Sequence, residues 1–254
     1  DALPISGVVL IDTTVDYGVG AAAGTGLVLS SDGIVVTNHH VVESSTQVEV
    51  TDPATGSSYT ADVIGYDPET DVAVLQLQDA SGLATVATDT SGVSEGDDVT
   101  AVGNSNGGGV LTAASGEITD TSTDINVSGD DGSTEHLTDL IQTDATVVPG
   151  DSGGALLDED GEVVGMNVAA SSTGNEGFAI PISTVLALAD QILAGDDSGA
   201  VTLGYGPALG RQLSTRSTDL LVVGVVSGSA ADTAGVTPGS VLTEFDGTPL
   251  TDYS

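Results

Sequence analysis

The stretch "ATVVPGDSGGALLDEDGEVVGMN", residues 145–167, places a serine among glycines and between two runs of strand-forming residues. Glycines beside Ser152 permit backbone conformations and close approaches that a side chain would block. One interpretation is a tight turn. The other is a nucleophile whose neighbours leave room for a substrate carbonyl and for backbone N–H groups directed at it.

Short runs of strand-forming residues alternate with turn residues along most of the chain. "SSDG" (30–33) and "DEDG" (158–161) stand between apolar runs, as hairpin turns do. Many short strands at this spacing are typical of β-barrels or sandwiches and not of alternating βαβ units. One series of strands is expected within residues 7–77 and a second within 97–181.

One segment, "PISTVLALADQILAG" (181–195), is predicted to be helical. Its apolar residues recur at helical spacing, Pro181 stands near its start, and Gly195 is a stop signal. "GDDSGA" (195–200) is typical of a linker. The sequence therefore predicts a mostly β domain over residues 1–194, a linker over 195–200, and a further segment, 201–254, that is too short to bury much surface alone.

The charge balance argues against several classes of partner. The chain has 38 acidic residues against two arginines and no lysine, a net charge of −36. Nucleic acids and anionic membrane surfaces carry the same sign, so neither is expected to bind. The acids are spread along the whole chain, which favours a surface tuned for solubility or a saline habitat over an acidic site for a cationic partner.

The composition also bounds the chemistry. The absence of cysteine excludes a disulfide framework, a thiol nucleophile and a cysteine–zinc site. No stretch reaches the ~20 apolar residues of a membrane span, so membrane insertion is not expected. Neither a metal nor a cofactor is expected. Since the chain begins at Asp1, as a mature product would, a removed signal segment is expected.

A serine nucleophile needs a base and an acid that orients the base. The chain offers three histidines, His39, His40 and His136, of which the first two stand at the end of an apolar strand in "GIVVTNHHVVE" (33–43). "DPETDVAVLQL" (67–77) supplies two candidate acids, Asp67 and Asp71, and Asp71 opens directly into the buried run that follows.

Three phrases in this order resemble the HtrA/Deg family of trypsin-like serine proteases, especially its secreted or envelope actinobacterial members: "TNHHVV" (37–42), "DVAVLQL" (71–77) and "QTDATVVPGDSGGAL" (142–156). The resemblance extends over about residues 1–195. In the family motif TN-x-H-V the catalytic histidine directly precedes the valine, which implies His40. The aspartate before hydrophobic-Ala-Val-Leu implies Asp71, and the serine of G-x-S-G-G implies Ser152.

The resemblance implies a chymotrypsin-like fold of two six-stranded β-barrels with the site in the cleft between them, followed by a helix. His40 would act as the base, Asp71 would orient it, and the N–H groups of Gly150 and Ser152 would hold the oxyanion. Polypeptides are the implied substrates, and homotrimers are common in the family. Two alternatives stay open: a quality-control chaperone or binder with weak or gated proteolysis, and a PDZ adaptor with a protease-like scaffold.

In this family the residues just before the serine form one wall of the pocket for the side chain that precedes the cleaved bond. Here they carry no charge, which favours small or medium aliphatic side chains over Lys or Arg. The strand after the hairpin is expected to pair with the substrate backbone by β-augmentation. The expected substrate-binding residues are Thr146, Val147, Val148, Asn167, Val168, Ala169 and Phe178.

"LGYGPALGRQL" (203–213) and "VVSGSAADTAGVTPGSVLTEFDGTPL" (225–250) resemble part of a PDZ domain. The family loop binds a peptide carboxylate, which here implies Leu209, Gly210 and Arg211. PDZ domains are longer than residues 201–254, so a mere packing loop is an equal alternative.

Asp151 departs from the asparagine found in many HtrA/Deg members. A buried carboxylate without a partner is costly, so Asp151 is expected to find backbone donors, stay hydrated or hold its proton.

Overall fold

The computed structural model describes residues 5–15, 20–128, 134–168, 176–204, 211–213, 220–225, 230–245 and 248–250. Within these ranges the chain is mostly β. Its strands form two barrels that follow one another in sequence, with a helix after the second. The expected fold class, a chymotrypsin-like double barrel, is confirmed.

The first barrel contains six antiparallel strands: β1 (Val8–Val15), β2 (Gly20–Val28), β3 (Ile34–Thr37), β4 (Ser45–Asp52), β5 (Ser57–Asp67) and β6 (Val72–Leu77). They pair in the order β1-β2-β3-β6-β5-β4, and the pairing of β4 with β1 closes the barrel. Aliphatic side chains fill the interior, where Val35 pairs with Leu75 across β3 and β6. Burial of these side chains is the main favourable contribution to the stability of the barrel.

The second barrel also closes with six strands: β7 (Asp98–Gly103), β8 (Thr112–Ser128), β9 (Thr134–Thr143), β10 (Ala155–Leu157), β11 (Val163–Val168) and β12 (Gly177–Pro181). Their order around the barrel is β10-β11-β12-β9-β8-β7. The predicted "DEDG" hairpin joins β10 to β11, with Gly161 at φ +79° in its turn. The serine stretch therefore runs from the end of β9 through a loop into β10.

Two helical segments bear on the candidate site. Helix α1 (His39–Val42) is a single turn that follows β3. The two histidines were expected at the end of that strand, and they lie just after it. Helix α2 (Ile182–Leu193) confirms the predicted helix and buries Ile182, Val185, Ala189 and Ile192 along one face. This face packs against strands of both barrels, namely β5, β6, β11 and β12. In the described ranges, no helix is long and apolar enough to cross a bilayer.

The chain after α2 stays on the first barrel for longer than the predicted boundary at residue 194. Val201 is buried, and strand β13 (Thr202–Leu203) pairs with β5. The Gly204 N–H then donates to the Ile64 carbonyl at 2.8 Å. The predicted linker, 195–200, therefore joins two elements that both pack on the barrels.

The last segment is described in part. It contains β14 (Arg211–Leu213) paired with β15 (Val222–Val225), a helical turn α3 (Ala230–Thr233), and β16 (Glu244–Phe245) paired with β17 (Thr248–Pro249). Of the predicted peptide-binding loop, Leu209 and Gly210 lie outside the described residues, and Arg211 begins β14. The PDZ resemblance stays a prediction.

The contact between α2 and β5 can be tested at Gly65. A Cβ at this position would lie 2.6 Å from Ile192 Cγ2 and 3.0 Å from the Thr202 carbonyl oxygen. We expect Gly65→Ala to lower the free energy of unfolding by about 1–3 kcal/mol through overpacking, as measured by chemical denaturation. Gly20→Ala is the control, because its Cβ would meet Val15 at an ordinary 3.6 Å. Equal stability of the two variants would contradict this packing.

Candidate active site

A carboxylate and an imidazole meet at the end of the first barrel. Asp71 is 1% exposed and stands directly before β6 with a left-handed backbone at φ +57°. Its Oδ2 lies 2.7 Å from Nδ1 of His40, and its Oδ1 accepts the His40 backbone N–H at 2.9 Å. One carboxylate thus fixes both the ring and the main chain of the histidine, whose side chain keeps 35% of its surface exposed.

The carbonyl of Asp71 is held as well. It accepts the His39 N–H at 3.2 Å and the Asn38 side-chain amide at 3.0 Å. Because Asn38, His39 and His40 are consecutive, the segment after β3 is bonded to Asp71 through three neighbouring residues. This explains how a residue in a strained conformation is kept in place.

The other candidates take different positions. His39 is buried, and its ring stacks on Tyr66 with centroids 4.4 Å apart and planes 11° from parallel. Burial lowers the pKa of His39, although Asp71 and Glu43 act in the opposite direction. Asp67 accepts the N–H groups of Glu69 and Thr70 in the turn before Asp71. His136 is exposed in β9, beside Asn126.

The loop that carries Ser152 is held peptide by peptide. Four consecutive carbonyls accept hydrogen bonds. The Pro149 carbonyl accepts the Asn106 N–H at 2.6 Å, and the Gly150 carbonyl accepts the Thr25 hydroxyl at 2.7 Å. The Asp151 carbonyl accepts the Gly154 N–H, and the Ser152 carbonyl accepts the Thr25 N–H, both at 2.9 Å. Gly150 has φ +94° and Gly153 φ +81°, conformations that L side chains rarely adopt. A Cβ on Gly153 would overlap the Thr25 carbonyl and the Thr37 hydroxyl. The glycines therefore meet a real requirement for both conformation and space.

This packing brings the serine loop to the end of the first barrel. Gly153 lies against Thr37, the last residue of β3, and His40 follows Thr37 by three residues. Ser152 is bonded to Thr25 in β2, the strand that pairs with β3. The structure thus holds the segments of all three predicted triad residues near the end of β3, the start of β6 and Thr25 in β2.

Asp151 is buried among donors, which answers the question raised by its sequence. Oδ2 accepts the Val148 N–H at 2.9 Å, and Oδ1 accepts the Ser105 hydroxyl at 2.8 Å. Burial raises the pKa of Asp151, while the hydrogen bonds from Val148 and Ser105 act to lower it. Of the three outcomes expected, a backbone donor is present, and burial favours retention of the proton.

The expected pocket residues occupy varied environments. Thr146 is exposed, Val147 is buried, and Val148 is half-buried. Phe178 is buried in β12, where it pairs with Val168.

Asn167, the first residue of the expected substrate strand, is bonded to the serine loop. Asn167 is fully buried, and its backbone N–H and carbonyl bond Gly154 and Gly153 at 2.8 and 2.9 Å. Both backbone groups of Asn167 are thus bonded to the serine loop, and pairing of this residue with a substrate strand stays a prediction. Val168 follows in β11, where it pairs with Phe178, and Ala169 lies outside the described residues.

The segment "GNSNGGG" (103–109) supports the serine loop. Its exposed residues follow a buried Asn104, and Ser105 and Asn106 supply two of the donors described above. Thr25 was also missed by sequence reasoning. The only available signal in the sequence was a threonine between glycines in "GTG" (24–26). This short motif does not indicate a hydrogen-bond partner 125 residues away.

Comparison with known proteins gives the family. Residues 24–166 match the family model described as a trypsin-like peptidase domain, and this range contains His40, Asp71 and Ser152. The chain belongs to the trypsin-like peptidase family. At the level of family, the expectation of a trypsin-like serine protease is confirmed.

Named relatives agree with this trypsin-like peptidase assignment. The serine protease PepD of Mycobacterium tuberculosis is 30% identical over 161 residues, which are 58% of this chain and 33% of PepD. The periplasmic serine endoprotease DegP of Escherichia coli (strain K12) is 34% identical over 134 residues, 52% of this chain and 26% of DegP. The chain thus matches a third or less of the length of these curated relatives, which agree with the HtrA/Deg resemblance.

A solved structure resembles this trypsin-like peptidase over most of its length. The crystal structure of the Rv3671c protease from M. tuberculosis, in its active form, superposes with a TM-score of 0.63 at 29% identity. The match covers 80% of this chain and 84% of that chain.

The buried Asp151 predicts a pH dependence of stability. Its folded pKa lies above its ordinary value, so the folded state holds this proton to higher pH than the unfolded state does. Its contribution to the free energy of unfolding therefore falls as pH rises from about 4, the unfolded pKa, through the raised folded pKa. We expect the wild type to lose stability relative to Asp151→Asn across this window in chemical denaturation.

The exposed Asp62 provides the control for that experiment, because Asp62→Asn removes the same formal charge at the surface. Asp151→Asn also replaces one accepting carboxylate oxygen by an amide NH2 group. This changes the free energy of unfolding by an amount that does not vary with pH. A stability difference from wild type that follows the same pH course in both variants would contradict the assignment to Asp151.

Proposed function

We propose that the chain is a serine endopeptidase whose nucleophile is Ser152, whose base is His40 and whose orienting acid is Asp71. The observation that carries the proposal is the pair of contacts from one buried carboxylate to His40, at 2.7 Å to Nδ1 and 2.9 Å to the backbone N–H. This is the arrangement that holds an imidazole in one tautomer and stabilises its protonated form. Family membership supports the same roles.

In this mechanism Asp71 engages Nδ1, so the other ring nitrogen of His40, Nε2, exchanges protons with Ser152. Ser152 Oγ attacks the carbonyl carbon of the peptide as its proton passes to Nε2. The tetrahedral intermediate collapses when the C–N bond breaks and His40 protonates the leaving amine. Water, deprotonated by His40, then hydrolyses the acyl-enzyme and regenerates the serine hydroxyl.

The peptide planes of the serine loop support an oxyanion hole at Gly150 and Ser152. In a trans peptide the C=O and the following N–H point in opposite directions. The Pro149 carbonyl is held by Asn106 and the Asp151 carbonyl by Gly154, so the N–H groups on the same two planes are directed away from those donors. They belong to Gly150 and Ser152, and two aligned amides near the nucleophile would stabilise the developing oxyanion.

For substrates, we propose polypeptides with a small or medium aliphatic residue before the cleaved bond. Thr146, Val147 and Val148 bring no charge to the wall that precedes the serine, and Phe178 lies on the strand paired with Val168. A cationic side chain would lose its hydration there without gaining a carboxylate partner from these residues.

We also propose an HtrA/Deg-type protease of the envelope or the secreted fraction. DegP is named periplasmic, and the similarity to PepD supports the actinobacterial type. The strand signals of residues 201–254 support a partial PDZ domain, and homotrimer formation is part of the same proposal by family resemblance.

The triad is tested by labelling and by mutation. We expect a serine-directed phosphonyl fluoride to modify Ser152, and casein hydrolysis to fall by roughly four to six orders of magnitude in Ser152→Ala and His40→Gln. Exposed Ser81 and stacked His39 provide controls, because Ser81→Ala and His39→Phe should remain active. Unchanged hydrolysis by Ser152→Ala would reject the proposal, and prevention of aggregation by that variant would favour a binder.

Substrate preference has its own test. In a set of peptides that differ only in the residue before the cleaved bond, we expect Val and Ala to give the highest kcat/KM and Lys and Arg the lowest. The measurement is steady-state hydrolysis of each peptide at the same ionic strength, because the net charge of −36 attracts cationic peptides at low salt. A preference for Lys or Arg that persists at high salt would overturn this part of the proposal.

A further inference from the structure

We propose that Thr25 is a positioning residue for the reaction, whose hydroxyl fixes the peptide plane between the two oxyanion amides. This inference rests on the proposed function and deepens it. Thr25 belongs to β2 of the first barrel, whereas the plane that it holds, Gly150–Asp151, belongs to the second.

The Thr25 hydroxyl is fully buried and uses both of its hydrogen-bonding roles. It donates to the Gly150 carbonyl at 2.7 Å and accepts the Asn104 N–H at 2.9 Å. The Asn104 bond orients the lone pairs of the hydroxyl, so its proton is directed to Gly150. A valine has nearly the same shape but would leave a buried carbonyl and a buried N–H without these partners.

The backbone of Thr25 makes two further contacts. Its N–H donates to the Ser152 carbonyl at 2.9 Å, and its own carbonyl accepts the Thr37 hydroxyl at 2.7 Å. Thr37 is three residues before His40. Thr25 therefore joins the serine loop to the strand end that leads to the proposed base.

The Gly150–Asp151 peptide plane, which Thr25 holds, lies between the planes that carry the two proposed oxyanion N–H groups. The Gly150 N–H lies on the plane before it and the Ser152 N–H on the plane after it. The other end of the held plane is bonded too, because the Asp151 N–H donates to the Val148 carbonyl at 3.0 Å. If the Thr25 hydroxyl is lost, this plane can turn, and the dihedral angles on both sides change with it. The two amides would then no longer converge on one oxygen.

This role predicts a defect in the transition state and not in substrate binding. The oxyanion forms only as the serine attacks, so misdirected amides lower kcat while KM changes little. We expect Thr25→Val to lower kcat by about 10- to 100-fold, the range of a small misplacement or a weakened oxyanion donor. Thr25→Ser keeps the hydroxyl and should retain kcat within a few-fold of wild type.

A transition-state analogue separates positioning from general damage. A peptide boronic acid forms a tetrahedral adduct with the serine and places an oxygen between the two amides. Its inhibition constant should rise in Thr25→Val in proportion to the loss in kcat, while the KM of the matching peptide stays close to wild type. Thr13→Val is the control, because Thr13 is buried in β1 and, among the described residues, its hydroxyl bonds Ala22 of the same barrel.

A second pair of variants makes the same test if Thr25→Val does not fold. Thr25→Ser and Thr25→Cys differ in one atom, and a thiol is a much weaker donor than a hydroxyl. A lower kcat and weaker boronate binding in the cysteine variant support the role. Equal kcat in these two variants, wild-type kcat in a folded Thr25→Val, or a rise in KM alone would overturn it. A wild type that neither hydrolyses casein nor is labelled at Ser152 would instead reject the proposed function itself.

Discussion

Hydrogen bonds from one buried threonine tie the two barrels together at the point where the chemistry is proposed. Three bonds of Thr25 cross between them, to Ser152, to Gly150 and from Asn104. A single buried hydrogen bond contributes only about 1 kcal/mol net, so their importance lies in geometry more than in stability. Each barrel closes on itself through its strand pairing, and the bonds at Thr25 fix how the serine loop of the second barrel packs against β2 of the first.

The excess of acidic residues is accommodated locally and not by ion pairs. Across the described part of the chain, the one ion pair is His40 with Asp71. Many aspartates instead accept a backbone N–H two residues ahead in turns, as at Asp52, Asp67, Asp89, Asp158 and Asp196. Such turns satisfy the backbone at loops, and of these five aspartates only Asp67 is buried. Stability must then come mainly from the aliphatic interiors of the two barrels.

How far the sequence predicts this molecule depends on the range of each interaction. The many short strands and α2 follow from local signals, since hairpin turns and a helical stripe are set within a few residues. The double barrel followed from the family resemblance, because strand spacing alone left barrels and sandwiches open. The order of His40, Asp71 and Ser152 marked the candidate site through resemblance. The partners of Asp151 and Thr25 could not be predicted. Ser105 reaches Asp151 only when β7 and β10 pair in the second barrel, and Gly150 reaches Thr25 only when that barrel packs on the first. The same holds for residues 201–204, whose pairing with β5 extends the packed region past a boundary drawn from composition.

The proposed site contains a backbone conformation and buried polar atoms that are energetically unfavourable. Asp71 keeps a left-handed backbone that, for a residue other than glycine, costs of order 1–3 kcal/mol. Asn38 beside it and Asn167 behind Gly153 each have a buried side-chain oxygen without a hydrogen-bond partner among the described residues. Both asparagines nonetheless bond to the backbone of the proposed site, Asn38 to the Asp71 carbonyl and Asn167 to Gly153 and Gly154. A fold selected for stability alone would relax these positions. Their persistence at the ends of two well-packed barrels fits a site in which the cores supply the stability and the loops keep the orientation that catalysis requires.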